Sequence, residues 1–149
     1  AYSFVEKGCH AYKGMTPRNA PMFEPGGISY VYLCYGIHHL FNIVTNGKHR
    51  ADAVLIRALQ PLEGEKHMMK RMQTQTIKRL TSGPGKLTRA LGITLAANAM
   101  SLRSAQLWLE DGLWSGDIEA KTRIGIDYAG EDALLPWRFM AKDNGWISK

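Results

Sequence analysis

Aromatic and β-branched residues crowd one stretch of the chain, "ISYVYLCYGIHHLFNIVTNGK" (28–48), and predict two strands. Their side chains alternate, with Tyr30 and Tyr32 on one face and Val31 and Leu33 on the other. The alternation breaks at Tyr35-Gly36, which reads as the tip of a hairpin, and Asn46-Gly47 marks a second turn. "ADAVLIRAL" (51–59) is apolar on nearly both faces, the pattern of a central strand. Residues 61–72 take a helical spacing, with Leu62, Met68, Met69 and Met72 as apolar contacts and the methionines as core filler. "SGPGKLTRALG" (82–92) predicts a capped helix in which Ser82 caps, Pro84 opens and Gly92 closes. "AQLWLEDG", "TRIGIDYAG" and "PWRFMA" predict short strands between glycine turns, and residues 14–27, rich in Pro and Gly, a surface loop. The expected class is α+β, one domain with mostly antiparallel strands.

Charge sharpens this picture. The formal net charge is +6, but residues 66–109 alone hold eight Lys/Arg and no acid. Residues 110–149 are net acidic. Such a block suits a polyanion such as nucleic acid, and equally a solvated helix face. No apolar run approaches a membrane span, and no secretory leader pattern is present. Two cysteines, Cys9 and Cys34, make no disulfide framework, so a reducing cytosol is the expected compartment, or a nucleus in a eukaryote.

Several residues carry candidate chemistry. Tyr2, Tyr30, Tyr32 and Tyr35 gather near His10 and His38 in sequence, either as an aromatic core or as stacking surfaces. Tyr35 is the exception, because a bulky aromatic at a hairpin tip reaches no core and suits a wedge between stacked bases. Arg57 falls on the face of Ala53 and Leu55, where it either pairs with a carboxylate or positions a water or acid in a buried site. Asn42 sits in an otherwise apolar strand, so its amide needs partners or a ligand. "SGPGK" sets Ser82, Gly83 and Lys86 at a helix N-terminus suited to a phosphate, though simple capping explains it as well. Arg18, in the preceding loop, is a further backbone-phosphate candidate. The histidines and cysteines match no metal motif, and Glu6 is the only acid among the first 23 residues, in an exposed-looking connection.

Taken together, "TPRNAPMF-EPGGISYVYLCYGIHHLFNIVT", "AVLIRALQPLEG", "SGPGKLTRALGI" and "RIGIDYAGE…PWRF" resemble, in order, the alkyladenine (3-methyladenine) DNA glycosylase family. "AY…H" at 1–10 resembles the segment that follows the family's "VETEAY" strand. The resemblance implies a single glycosylase domain over 1–149, with a curved sheet, a protruding hairpin and packed helices, similar to formyltransferase C-terminal domains. It implies an enzyme acting as a monomer, without metal or organic cofactor, on double-stranded DNA containing damaged purines. It would flip the base out and hydrolyse the N-glycosidic bond. By resemblance Tyr35 is the intercalating wedge. Tyr2 faces His10 and Tyr32 across the base, with stacking and cation–π attraction for electron-poor alkylated bases. Asn42 disfavours normal guanine, and Arg57 and the main chain near Ile124 hold the nucleophilic water. The family's general base is a glutamate immediately before "AY", so the expectation is a chain cut directly after that residue. Without it the same pocket would serve a binding module that recognises bases and does not cleave them.

Overall fold

A computed structural model describes residues 1–112 and 115–147. Three antiparallel strands form the main sheet in the order β1 (Ser29–Cys34), β2 (His38–Val44) and β3 (Ala53–Leu55). Register follows the alternation read from the sequence: Tyr30 pairs with Asn42, Val31 with Phe41, and Tyr32 with Leu40. Asn42 in turn pairs with Leu55, and Val44 with Ala53. One face therefore carries Tyr30, Tyr32, Leu40, Asn42, Ala53 and Leu55, and the other carries Val31, Phe41 and Ile43. Each face is covered by its own cluster. Cys9, Ala11 and Met22 pack on the Tyr30 face, and Ile93 and Leu102 on the Val31 face.

The hairpin turns at Tyr35 and Gly36, both at positive φ (50° and 70°), as the central residues of a type I′ turn are. Glycine takes that conformation without cost, whereas a tyrosine there is strained. β3 is shorter than expected and lies at the sheet edge, not at its centre. Its apolar character is explained by the N-terminal segment, which pairs Tyr2 with Ala53 in an isolated bridge and covers its outer side.

Helix α1 (Glu65–Met72) starts later than the 61–72 pattern, because Gly64 at φ 80° initiates it. Met68 is buried, with Met69 and Met72 packed beside it, while Leu62 stands in solvent and makes no core contact. Helix α2 (Pro84–Leu91) opens on Pro84 and closes on Gly92, which adopts the left-handed C-cap. Its N-cap is Gly83 and no side chain caps it, so Ser82 does not take the expected role. The Ser82 hydroxyl donates instead to the Arg79 carbonyl (3.3 Å). α2 crosses the turn end of the hairpin closely: a Cβ on Gly85 would stand 2.9 Å from Cγ of His38, which pairs with Cys34 beside the turn. Thr88 Oγ1 adds a 2.7 Å hydrogen bond to the His39 carbonyl.

Beyond α2 the sequence expectations succeed less well. Residues 105–112 form no strand, only an isolated bridge from Arg103 to Trp108. Residues 122–130 also form no strand. Gly125 and Gly130 take positive φ, and Asp127–Leu134 folds as two 3-10 turns joined at Gly130. The loop over 14–27 contains one such turn, Ala20–Phe23. The last expected strand is present as β5 (Arg138–Ala141), antiparallel to β4 (Ile118–Lys121) in a separate two-stranded sheet. The architecture is α+β, as expected. Among the described residues no helix is long and apolar enough to cross a membrane.

Candidate base-recognition site

A cavity of about 600 Å³ opens over the Tyr30 face of the sheet. That volume lies within the usual range for small-molecule sites. Its floor follows from the pairing register, which aligns Tyr30, Tyr32, Asn42 and Leu55 on one side. Two other segments form its walls: the N-terminal stretch brings Tyr2 and His10, and residues 124–128 bring Ile124, Gly125 and Tyr128. Arg57 lines it just beyond the end of β3, and Tyr35 stands on its rim with 92 % of its surface exposed. Seven sequence candidates (Tyr2, His10, Tyr32, Tyr35, Asn42, Arg57 and Ile124) thus meet around one space.

Contacts within the wall fix its shape. The His10 ring meets Tyr32 edge-on at 4.5 Å between centroids, and its Nδ1 shares a 3.1 Å hydrogen bond with the Tyr30 hydroxyl. Asn19 holds the His10 carbonyl through Nδ2 (2.9 Å). Buried Asn42 donates from Nδ2 to the Tyr30 carbonyl (3.0 Å), which sets the direction of its amide. Burial pushes the Tyr30 hydroxyl up to about 12 and raises those of Tyr2 and Tyr32, so all three rings stay neutral at physiological pH. Burial, with Arg18 nearby, lowers His10 and favours its neutral form. Burial also lowers Arg57. Among the described residues the charged side chains lining the cavity are arginines, Arg18 and Arg57, with no carboxylate.

Arg18 is exposed, and its guanidinium also has partners within the protein. Its Nη2 donates to the Leu33 carbonyl (2.9 Å) and its guanidinium lies 5.3 Å from the Tyr32 ring centroid. Lys86 is exposed on the first turn of α2, whereas the Gly83 amide donates back to Thr81 (3.1 Å) and the Ser82 amide to Arg79 (3.5 Å). Of the three SGPGK candidates, Lys86 presents its charge outward.

Three residues escaped the sequence reading. Glu6 is not in an exposed connection; it is 2 % exposed and forms a bidentate pair with Arg123 (2.7 and 3.0 Å). Glu6 Oε2 also accepts from the Gly8 amide (2.7 Å). Arg123 donates further to the carbonyls of Ala1 (3.2 Å) and Asp132 (2.8 Å). Its guanidinium is sandwiched between the rings of Tyr2 and Trp137, 5.0 and 5.2 Å from their centroids. A separation of 117 residues leaves no local trace of this pair. The one available signal was that a basic residue directly precedes the Ile124 candidate. Tyr128, exposed where it lines the cavity, was missed because residues 122–130 were read as a strand.

Known proteins share this sequence closely. A relative in Chlamydia abortus is 51 % identical over 138 residues, covering 91 % of this chain and 73 % of its own length. One in Methanocella arvoryzae is 48 % identical over 146 residues, 97 % of this chain and 73 % of its own. One in Rhodopseudomonas palustris is 43 % identical over all 149 residues and 73 % of its own length. All three bear the name "Putative 3-methyladenine DNA glycosylase". The family model for methylpurine-DNA glycosylase matches residues 1–145, and the chain belongs to that family.

Proposed function

We propose that residues 1–149 are the base-recognition domain of a DNA repair glycosylase that takes alkylated or deaminated purines from duplex DNA. One observation carries the reading: a cavity walled by Tyr2, His10 and Tyr32 opens beside a fully projecting aromatic, Tyr35. A purine extruded from the duplex stacks between Tyr2 on one side and His10 with Tyr32 on the other. Tyr35 fills the space that the base leaves in the stack. Asn42, its amide fixed by the Tyr30 carbonyl, stands where it disfavours the exocyclic amine of guanine. Lys86, Ser82 and Gly83 at the start of α2, with Arg18, approach the DNA backbone.

Hydrolysis requires a water at C1′ and an acceptor for its proton. Arg57 and the main chain near Ile124 hold the water. Its oxygen bonds to C1′, the N-glycosidic bond breaks, and the bonding pair leaves with the base. The proton goes to a glutamate joined to Ala1, the position the family resemblance implies. Ala1 lines the cleft that shares Tyr2, Arg57 and Ile124 with the cavity, so a side chain preceding it begins beside the water holders. A second reading, recognition without cleavage, is favoured by the lack of a carboxylate among the described cavity-lining residues.

Two assays separate them: binding to a duplex with an abasic analogue, and single-turnover excision of hypoxanthine or 3-methyladenine. They are run on residues 1–149 alone and on the same chain preceded by Glu or by Gln. Excision with Glu only, alongside binding by all three, is the expected result. No preference for lesion or abasic duplex over undamaged DNA refutes both readings.

A further inference from the structure

We propose that Arg123 is a specificity-determining residue that weights the pocket toward neutral damaged bases over cationic ones, by acting through the ring of Tyr2. The inference rests on the base-stacking role proposed above for Tyr2. Tyr2 lines both the base cavity and a neighbouring cleft of about 380 Å³, whereas Arg123 and Trp137 line only the cleft. Seen from the cavity, the Arg123 guanidinium therefore lies behind the Tyr2 ring, 5.0 Å from its centroid.

An aromatic face attracts a cation through its π density. A ring whose rear face already holds a guanidinium gives up part of that density to it. A second cation on the front face then gains less from the ring and meets the rear charge across it. A neutral base stacking on the same face loses much less. Of the two charges it is Arg123 that lies over the Tyr2 ring, and Glu6 meets it at the guanidinium nitrogens. Nor can the guanidinium withdraw, because Glu6, the Ala1 and Asp132 carbonyls and the Trp137 ring hold it in place. Arg18, which also lines the cavity, adds to the same bias.

Arg123 touches neither the base nor the reacting atoms, so its test must read selectivity and not activity alone. Two duplexes serve as probes, one with 7-methylguanine (cationic) and one with ethenoadenine (neutral), each on a 2′-fluorinated sugar that resists hydrolysis. Their affinities are measured for the wild type, R123K and E6Q/R123M, with E6L/R123M replacing the last if it fails to fold. Removing the charge pair should shift the affinity ratio toward the cationic base by about 3- to 10-fold, the size of a partly desolvated cation–π contact. R123K, which keeps a cation behind the ring, should hold the wild-type ratio. An unchanged ratio in the charge-free variant overturns the inference, as does an equal loss for both probes. If the wild type prefers neither lesion duplex over undamaged DNA, the base-stacking role fails first, which is a separate outcome.

Discussion

Arg123→Met should strand a charge. Glu6 is 2 % exposed, and its carboxylate oxygens accept from Arg123 Nη1 and Nη2 and from the Gly8 amide. With the arginine gone, one amide remains to stabilise a buried carboxylate. Breaking a buried pair in this way costs about 3–5 kcal/mol. That is a large part of the roughly 5–15 kcal/mol that holds a domain folded. At about 3 °C per kcal/mol for a chain of this size, the midpoint falls by about 10 °C. E6Q/R123M removes the charge, while the carboxamide oxygen of the new side chain still accepts from the Gly8 amide. Arg123 Nε is buried without a hydrogen-bond partner among the described residues, so its removal relieves one existing cost. The double variant should therefore lose no more than about 2 kcal/mol relative to the wild type. Urea denaturation of the wild type, both single variants and the double variant closes the cycle. A double variant as unstable as R123M would refute the reasoning, since it would place the damage in lost packing against Tyr2 and Trp137.

Tyr35→Ala should leave the urea midpoint unchanged, because the ring is almost wholly exposed, yet weaken binding to an abasic-analogue duplex by about 10- to 100-fold, the worth of one base–aromatic stack. Equal affinity by gel shift would remove Tyr35 from the DNA contact. Gly85→Ala should destabilise by about 1–3 kcal/mol, since its Cβ meets the root of the His38 side chain; an unchanged thermal midpoint would show that the helix can move away. Lys86→Ala should reduce the slope of log affinity against log salt by about 1, and an identical slope would mean that Lys86 meets no phosphate. Burial pushes the Cys9 thiol up to about 11, so a thiol reagent at pH 8 should modify Cys34 alone in the native protein and both cysteines in denaturant. Rapid native labelling of two thiols would contradict the packing around Cys9.

The hairpin was legible because its information is local. Tyr30, Tyr32, Val31 and Leu33 declare their faces by alternation, and Tyr35-Gly36 interrupts it where the chain reverses. Helix α2 announced itself through Pro84 and Gly92. The gathering of Tyr2, His10, Tyr32, Asn42, Arg57 and Ile124 around one cavity was legible only through the family resemblance, since they come from four separated segments. Glu6 and Arg123 were not legible at all. Each looks like an ordinary surface charge until the fold brings them together and excludes water. Residues 105–112 and 122–130 misled for the opposite reason. Their local alternation suits a strand, but among the described residues no neighbouring strand pairs with 105–112, and the positive φ of Gly125 and Gly130 bends the second segment away from extended backbone. Arg18 is a subtler case: its loop position shows that it is exposed, but not that a carbonyl and a tyrosine ring also meet its guanidinium.

The close seat of Gly85 against His38, with Thr88 tied to the neighbouring carbonyl, gives the hairpin a splint directly beside its turn. A two-stranded arm anchored only by its own ladder would sway when its tip pushed against something stiff. Here a thrust on Tyr35 passes directly into α2, the element whose first turn carries Lys86. On the reading proposed above, prying apart a stacked duplex and gripping its backbone would then be one rigid movement, with the lever and its handle cast in a single piece.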